Sequence, residues 1–179
     1  MPNKDYSDYK DKLIISDASP LIELYRLGKL DYLNRLFGNV YTTNTVKKEC
    51  TKKLKFEMPD WIKIEEPQNV TKRIFRKLGF EKGELTAIAL AFEKNLKQVD
   101  SSCLVLDDWS ARKLIDDNKL EIKYFGLLQL MNFAFTQNYF NKEYIGELTK
   151  KMRKHKFRIP ENAEDIIYGK KYNSNSRRV

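Results

Sequence analysis

The chain is short of the residues on which several common catalytic mechanisms depend. Its 179 residues include one histidine, His155, and two cysteines, Cys50 and Cys103. A Ser–His–Asp triad or a histidine dyad therefore has little support, and the cysteine spacing does not resemble a zinc site such as CxxC. We expect two reduced thiols and a solvated histidine, because His155 lies in the basic run KKMRKHKF.

Long apolar runs are also missing. No stretch of about 18 uncharged apolar residues would span a membrane, and the polar start MPNKDYSDYKDK lacks the apolar core of a signal peptide. Hydrophobic residues nevertheless make up 41% of the chain, which is enough for a folded core. The sequence therefore favours a globular, cytoplasmic protein that has no membrane partner.

Positive charge is concentrated near the end of the chain. The formal net charge is +9, and residues 150–179 contain ten Lys and Arg against three acids. Such a region attracts polyanions, although a solubilising face and tail would have the same composition. The candidate nucleic-acid contacts in it are Lys150, Lys151, Arg153 and Lys154.

Short apolar runs alternate with amphipathic helical patterns along the chain. Strands are predicted at 13–16, 39–42, 61–64, 103–106 and 122–124, the third being the weakest. Helices are predicted at 19–27, 30–37, 43–53, 69–78, 82–92, 109–116, 126–138 and 142–155. This alternation predicts an α/β sandwich around a parallel sheet of four to five strands. If the fourth strand returns beside the first, the strand order is 3-2-1-4-5.

The pattern indicates one domain with polar ends. We assign residues 1–12 to a polar N-terminal extension, 13–167 to the domain and 168–179 to a basic, disordered tail. The chain becomes polar from about residue 165, where we expect it to fray.

Acidic residues occur where packing alone does not require them. Asp17 directly follows the first predicted strand, and Asp107 and Asp108 follow the fourth. Glu49 lies on the helix after the second strand, and Glu84 lies in the first turn of the helix at 82–92. Acids at the carboxyl ends of parallel strands face the crevice where α/β proteins bind ligands.

Clustered carboxylates raise one another's pKa, and a divalent cation relieves that repulsion. Hard oxygen ligands suit Mg²⁺ or Mn²⁺. Taken singly, each acid also has a structural explanation. Asp17, Asp107 or Asp108 would serve as a helix cap, Glu84 would complement a helix dipole, and Glu49 would be one more solvated charge. The hypothesis of a metal site rests on all of them together.

The ordered segments SDASPLIEL, TVKKE, KGELTAIALA, LVLDDWSARKLI and FGLLQLM resemble the PIN-domain family over residues 13–167. The similarity is greatest to its small prokaryotic branch, which is related to the toxin nucleases of toxin–antitoxin pairs. The resemblance implies a three-layer fold with helices on both faces of the sheet. It also implies cleavage of single-stranded RNA by an endoribonuclease that uses Mg²⁺ or Mn²⁺.

The resemblance also implies roles for individual residues. Asp17, Glu49, Glu84 and Asp108 correspond to the four catalytic acids, of which Asp17, Glu84 and Asp108 hold the metal. Asp107 is the neighbour of Asp108 or its substitute as a metal ligand, and the sequence does not separate the two. Ser19 is expected to support the first aspartate or a metal-bound water. Arg112 is expected to contact nucleic acid.

One departure from the family pattern concerns the second acid. The family often has a proline near the start of the helix that carries it, and here Thr43 and Asn44 occupy that region. This departure leaves both the helix start and the role of Glu49 open.

Two other functions remain open on the sequence alone. One is a non-catalytic regulatory module that binds RNA or protein; the other is a receiver-type phosphate-transfer domain, for which Lys123 is a poor candidate lysine. If the chain is a toxin, an antitoxin protein and a homodimer are the expected partners. Apolar helices near 24–36 and 133–140 would supply such surfaces, although core packing is their commoner explanation.

Overall fold

The predicted strands form one parallel sheet in the computed structural model, which describes residues 5–54, 57–80, 82–96 and 102–169. In chain order the strands are β1 (Leu13–Ser16), β2 (Val40–Thr42), β3 (Ile62–Ile64), β4 (Ser102–Val105) and β5 (Lys123–Phe125). Their spatial order is β3-β2-β1-β4-β5, and every pairing is parallel. The predicted topology is therefore confirmed, and the weakest predicted strand is present.

Helices cover both faces of this sheet in a three-layer sandwich. In chain order they are α1 (Ala18–Arg26), α2 (Asp31–Phe37), α3 (Asn44–Leu54), α4 (Asn69–Lys77), α5 (Lys82–Leu96), α6 (Trp109–Asp117), α7 (Leu127–Thr136), α8 (Glu143–Lys154) and α9 (Ala163–Tyr168). One packed group contains α1, α3, α4 and α5, and another contains α2, α7, α8 and α9.

The central strands β1 and β4 are apolar because helices bury them on both faces. Ile14, Ile15, Cys103 and Leu104 are all fully buried, as uninterrupted apolar strands of a parallel sheet usually are. β1 pairs with β2 on one side and with β4 on the other. The chain therefore reverses its direction of travel across the sheet between β1 and β4, which is the position where open α/β sheets form their ligand crevice.

Hydroxyl groups fix the ends of the central strands. The Thr42 hydroxyl donates to the Ser16 carbonyl at 2.9 Å, which joins the last residues of β2 and β1. The backbone amide of Asp17 donates to the Val105 carbonyl at 3.1 Å, which joins β1 to β4. The backbone that follows β1 is thus held from both sides where the first acid lies.

The prediction that the chain is polar and frayed from about residue 165 is wrong for the first part of that segment. Residues up to Tyr168 form helix α9, whose Ala163 and Ile167 side chains are fully buried. The helix packs against α7 and α8, and the Asn132 side chain donates to the Ile167 carbonyl at 3.0 Å. Residues 170–179 lie outside the described part of the chain.

The N-terminal segment also contacts the core. A short 3₁₀ helix spans Tyr6–Asp8, and the Tyr9 ring is buried 5.2 Å from the Phe125 ring and 5.3 Å from the Phe133 ring. These aromatic rings cover the side of the sheet at β5, so the segment before β1 contributes apolar surface despite its polar composition.

The two apolar stretches considered as partner surfaces mostly belong to the core. Leu24, Leu33, Leu36 and Phe133 are buried, so core packing accounts for them. Both cysteines are buried free thiols. Among residues 5–54, 57–80, 82–96 and 102–169, no helix is long and apolar enough to cross a membrane.

Candidate active site

Asp17 is the most deeply buried of the predicted acids. It lies at the N-cap position of α1, is 4% exposed and makes no side-chain capping hydrogen bond. Burial raises the pKa of Asp17 to about 6, against the opposing effect of the Ala18 and Ser19 backbone amides. The two amides only partly offset the effect of burial on the pKa of Asp17, so a capping role alone is a poor explanation for this carboxylate.

Two other carboxylates also raise the pKa of Asp17, namely those of Glu49 and Asp107. They come from α3 and from the end of β4, so three separate elements bring negative charge to the edge of the sheet beside β1. Like charges within this range disfavour simultaneous ionisation. Glu49 and Asp107 therefore both lie within electrostatic reach of Asp17.

Asp107 is held in place by groups from two other elements. Its two carboxylate oxygens accept from the Leu127 backbone amide at 3.1 and 3.3 Å, at the start of α7. The Arg112 guanidinium lies 3.5 Å from the carboxylate. Burial raises the pKa of Asp107, while Arg112 and the Leu127 amide oppose that rise. These contacts orient the carboxylate without removing its accessibility, because 21% of the side chain remains exposed.

Asp108 has a different position. It is the N-cap of α6, and its Oδ1 accepts from the Ala111 backbone amide at 2.8 Å and from the Ser110 hydroxyl at 2.5 Å. Asp108 therefore acts as a helix cap, the structural role that the sequence left open for it. Of the two neighbouring aspartates, Asp107 is the one that acts on Asp17.

Glu84 lies in the first turn of α5 and is half-buried. Two residues further on, the Thr86 hydroxyl lies 2.8 Å from the Thr43 hydroxyl, which directly follows β2. This contact between two buried side chains brings the start of α5 to the same edge of the sheet as Asp17. Ser19 lies in the first turn of α1 beside Asp17 and is also half-buried.

The helix that carries Glu49 begins at Asn44 without a proline. Thr43 takes over the start, because its side-chain oxygen accepts from the Val46 amide at 3.4 Å and its carbonyl accepts from the Lys47 amide. Glu49 is half-buried and pairs with Lys53 at 2.7 Å. The departure from the family pattern thus leaves the helix and the acid in place.

The donor set fits a hard divalent cation. Clustered oxygen donors that raise one another's pKa are relieved by a bound cation, and Mg²⁺ and Mn²⁺ prefer carboxylate oxygens. Over the described ranges, no three acidic, histidine or cysteine side chains lie close enough together to enclose an ion. The charge and chemistry therefore fit, and the carboxylates would have to move closer around the ion to ligate it.

Arg112 makes intramolecular contacts on several sides. Its guanidinium donates to the Leu106 carbonyl, pairs with Asp107 and lies 5.5 Å from the centroid of the Tyr124 ring. It thereby ties the end of β4 to α6 and β5. These contacts indicate that Arg112 positions Asp107. The nucleic-acid contact expected for Arg112 stays a prediction.

The basic residues of α8 differ from one another in their surroundings. Lys150 and Lys154 are exposed, whereas Lys151 pairs with Glu147 at 2.6 Å and Arg153 donates to the Pro160 and Glu161 carbonyls. His155, expected to be solvated, instead lies 2.8 Å from the fully buried Glu23 of α1. That expectation is wrong because a partner 132 residues away supplies the carboxylate.

Sequence reasoning missed the group that holds Asp107. Gly126 precedes α7, and a Cβ atom there would lie 2.4 Å from Arg112 Nη2 and 2.5 Å from Asp107 Oδ1. Glycine therefore lets the carboxylate reach the first amide of α7. The FGLL segment signalled a helix start, but only the three-dimensional arrangement shows what that start binds.

The fold is a parallel α/β sheet in which Asp17 and Asp107 follow the two central strands β1 and β4. A family model for a PIN domain matches residues 13–168, and the chain belongs to the PIN-domain family. PIN domains generally are nucleases that act on RNA with divalent metal ions, so this is a fold of nuclease type. No curated protein is significantly similar to the chain.

Proposed function

We propose that the protein is a metal-dependent endoribonuclease that hydrolyses phosphodiester bonds of single-stranded RNA. The observation that carries the proposal is the buried Asp17, whose pKa is raised to about 6 by burial and further by the Glu49 and Asp107 carboxylates. Buried negative charge of this kind destabilises a fold. Its presence therefore indicates a site for a cation or a catalytic role. Membership of the PIN-domain family supports the same function.

Asp17, Glu84 and Asp107 would hold Mg²⁺ or Mn²⁺, with Glu49 at the margin and Ser19 beside Asp17. When bound, a divalent ion activates water as a nucleophile and neutralises charge on the phosphate. The protein's own part is to keep the carboxylates oriented. The Leu127 amide and Arg112 hold Asp107. The Thr43–Thr86 contact holds the start of α5, which carries Glu84, at the end of β2. Asp108, by capping α6, would act as a positioning residue.

The test compares the two neighbouring aspartates. We expect wild-type protein to cleave a labelled single-stranded RNA with Mn²⁺, and Asp107→Asn to lower that rate about 10²- to 10³-fold, as loss of a preorganised electrostatic group does. The matched Asp108→Asn variant keeps most of the rate and its stability, because asparagine caps a helix about as well as aspartate does, whereas Asp108→Ala keeps most of the rate and loses about 1 kcal/mol of stability. Unfolding by urea separates the two effects.

Three results would contradict this proposal. Equal cleavage by wild-type protein and folded Asp107→Asn would remove the assigned role of Asp107. RNA binding without cleavage at any Mg²⁺ or Mn²⁺ concentration would favour the non-catalytic regulatory module. Phosphorylation of Asp107 or Asp108 by a small phosphodonor would instead support a receiver-type domain.

The finer biological role follows from the resemblance to the toxin branch. As a cytoplasmic toxin paired with an antitoxin protein, the wild-type chain would arrest growth on induction, and Asp17→Asn would not. Light scattering of the purified chain would report a homodimer. Continued growth with active enzyme present would favour an RNA-processing enzyme over a toxin.

A further inference from the structure

The outer face of α3 is cationic. Lys47, Lys48 and Lys52, together with Asn44 and Thr51, line a surface groove of about 470 Å³. Their spacing of three, one, three and one residues places them on one face of the helix. The opposite face of α3 buries Val46 and Cys50 in the core. The groove is therefore lined entirely by polar and positively charged side chains.

Helix α4 adds a second row of positive charge. Arg73, Arg76 and Lys77 are exposed, and no acid occurs between Asn69 and Lys77. Together these rows form a surface that we call the α3–α4 face, made of Lys47, Lys48, Lys52, Arg73, Arg76 and Lys77.

A shared glutamate joins the two rows. The two Glu66 oxygens accept from the Asn44 backbone amide at 2.7 Å and from Lys72 Nζ at 2.8 Å. One carboxylate therefore links the start of α3 to the first turn of α4. The acids within this surface already pair with neighbouring lysines, since Glu66 pairs with Lys72 and Glu49 pairs with Lys53. The six residues of the face thus leave a large positive balance.

The α3–α4 face reaches the acidic site through Glu49. Glu49 acts electrostatically on Asp17, and Lys48 and Lys52 lie one residue before it and three residues after it on the same helix. Side chains three residues apart on a helix are neighbours, with about 5–6 Å between their Cβ atoms. A polyanion bound in the lysine groove would therefore lie beside Glu49, the acid of α3 that acts on Asp17.

The C-terminal helix is a weaker candidate for the same task. Lys151 and Arg153 have intramolecular partners, and the exposed acids Glu143, Glu147 and Glu164 lie on or beside α8. The first half of α8 is acidic and its last turn is basic, whereas the α3–α4 face presents one sign. A single-sign surface attracts the phosphate backbone from a distance and holds it by releasing counterions.

We propose that the α3–α4 face binds the phosphate backbone of single-stranded RNA and leads it to the acidic site. The inference rests on the proposed nuclease function, whose substrate it positions. Because backbone contacts carry no sequence information, binding here is independent of RNA sequence. α4 also exposes the aliphatic side chains of Val70 and Ile74, which an acidic protein partner would use and an RNA backbone would not.

The test measures binding of a fluorescein-labelled 12-nucleotide single-stranded RNA to the full chain in EDTA, where divalent ions are absent. Relative to wild type, we expect Lys48→Gln/Lys52→Gln to weaken binding at least about fivefold at 50 mM salt. The slope of log affinity against log salt becomes shallower by about 1.4, which corresponds to two lost phosphate contacts on a single strand. Thermal unfolding checks that both chains are equally folded.

Two control variants sharpen the result. Lys10→Gln/Lys123→Gln removes the same charge from exposed positions beside the opposite ends of the strands, and we expect it to bind like wild type. Ile74→Gln should also bind RNA like wild type, because it removes only an aliphatic contact.

Three outcomes would overturn the inference. The first is no RNA binding by the wild-type chain, and the second is an equal loss in the two lysine pairs. The third is unchanged RNA binding by Lys48→Gln/Lys52→Gln, which would assign the face to an acidic protein partner. Because RNA binding is measured without metal, its result can be interpreted even if the nuclease proposal fails.

The cleavage assay gives a second measurement. The Lys48→Gln/Lys52→Gln variant should raise KM with little change in kcat, whereas Asp107→Asn lowers kcat.

Discussion

Helix α1 carries two buried carboxylates with opposite surroundings. Asp17, at its start, lies among the carboxylates of Glu49 and Asp107. Glu23, six residues later and fully buried, lies 2.8 Å from His155 and 3.9 Å from Arg26. Burial raises the pKa of both groups, but His155 and Arg26 oppose the rise at Glu23, whereas acidic neighbours add to it at Asp17.

This difference separates a structural acid from a functional one. A buried carboxylate is tolerated when it gains a hydrogen-bond partner and an opposite charge, as Glu23 does from His155 and Arg26. At Asp17 the neighbouring side chains that act on the carboxylate make its ionisation harder. Residues kept under such conditions are candidates for binding or catalysis, because packing alone would favour their replacement. The comparison therefore predicts that substitutions at the two positions act on different properties.

The largest expected effect is on cleavage. Asp17→Asn should lower the rate on labelled single-stranded RNA about 10²- to 10³-fold, because it removes a carboxylate that would hold the divalent ion at the reacting phosphate. Glu23→Gln, on the same helix and equally buried, should leave kcat nearly unchanged. Single-turnover cleavage with saturating Mn²⁺ measures both. A similar loss in the two variants would mean that α1 as a whole, and not Asp17, is what cleavage requires.

The second effect is on stability, and it has the opposite sign. The pKa of Asp17 rises from 3.8 to about 6 on folding, so the folded state binds the proton more tightly and stability falls as pH rises from about 3.8 to 6. Above pH 6, Asp17→Asn should therefore be more stable than wild type by about 3 kcal/mol in EDTA. The gain should nearly vanish at pH 4.

Urea unfolding at pH 4 and pH 8 measures this pH dependence. Asp60→Asn, at an exposed position before β3, is the control and should show no such difference between the two pH values. Added Mn²⁺ should stabilise wild type more than Asp17→Asn, since an ion that binds only the folded state adds to its stability. A variant less stable than wild type at pH 8 would contradict the interpretation of Asp17 as uncompensated charge.

Most of the fold was predictable because the central strands are uninterrupted apolar runs, a pattern that parallel sheets require. The LIIS and CLVL runs identify β1 and β4, and the helical spacing between strands identifies the layers. Helix α9 escaped prediction because Ala163 and Ile167 alone carry its buried face. Its stability comes from packing on α7, and a short segment does not reveal such long-range contacts.

The acids of the site were predictable as a group, but their separate roles were not. Asp107 and Asp108 are chemically identical neighbours, and the Leu127 amide, 20 residues later, distinguishes them. The basic surface was harder to predict because it depends on how helices adjoin. Counting charge along the chain pointed to residues 150–179, whereas the single-sign surface is formed by α3 and α4. Glu23 and His155, 132 residues apart, could not be paired in advance.

The smallest of these effects concerns the compensated carboxylate. His155→Ala should destabilise the fold by about 2 kcal/mol at pH 8, because Glu23 would remain buried without its nearest partner. With that partner gone, the pKa of Glu23 should rise further on folding. The loss should therefore be small at pH 4, where the carboxyl is largely protonated in both states, and should grow as pH rises through the folded-state pKa.

A double-mutant cycle tests whether the charge of Glu23 is the cause. In a Glu23→Gln background no charge remains at position 23, so His155→Ala should cost much less than it does in wild type. Urea unfolding of the four chains at pH 8 gives the coupling energy. Equal costs in the two backgrounds would show that His155 contributes packing alone. Glu23 would then be a second buried carboxylate without effective compensation, and the contrast with Asp17 would no longer distinguish the functional acid.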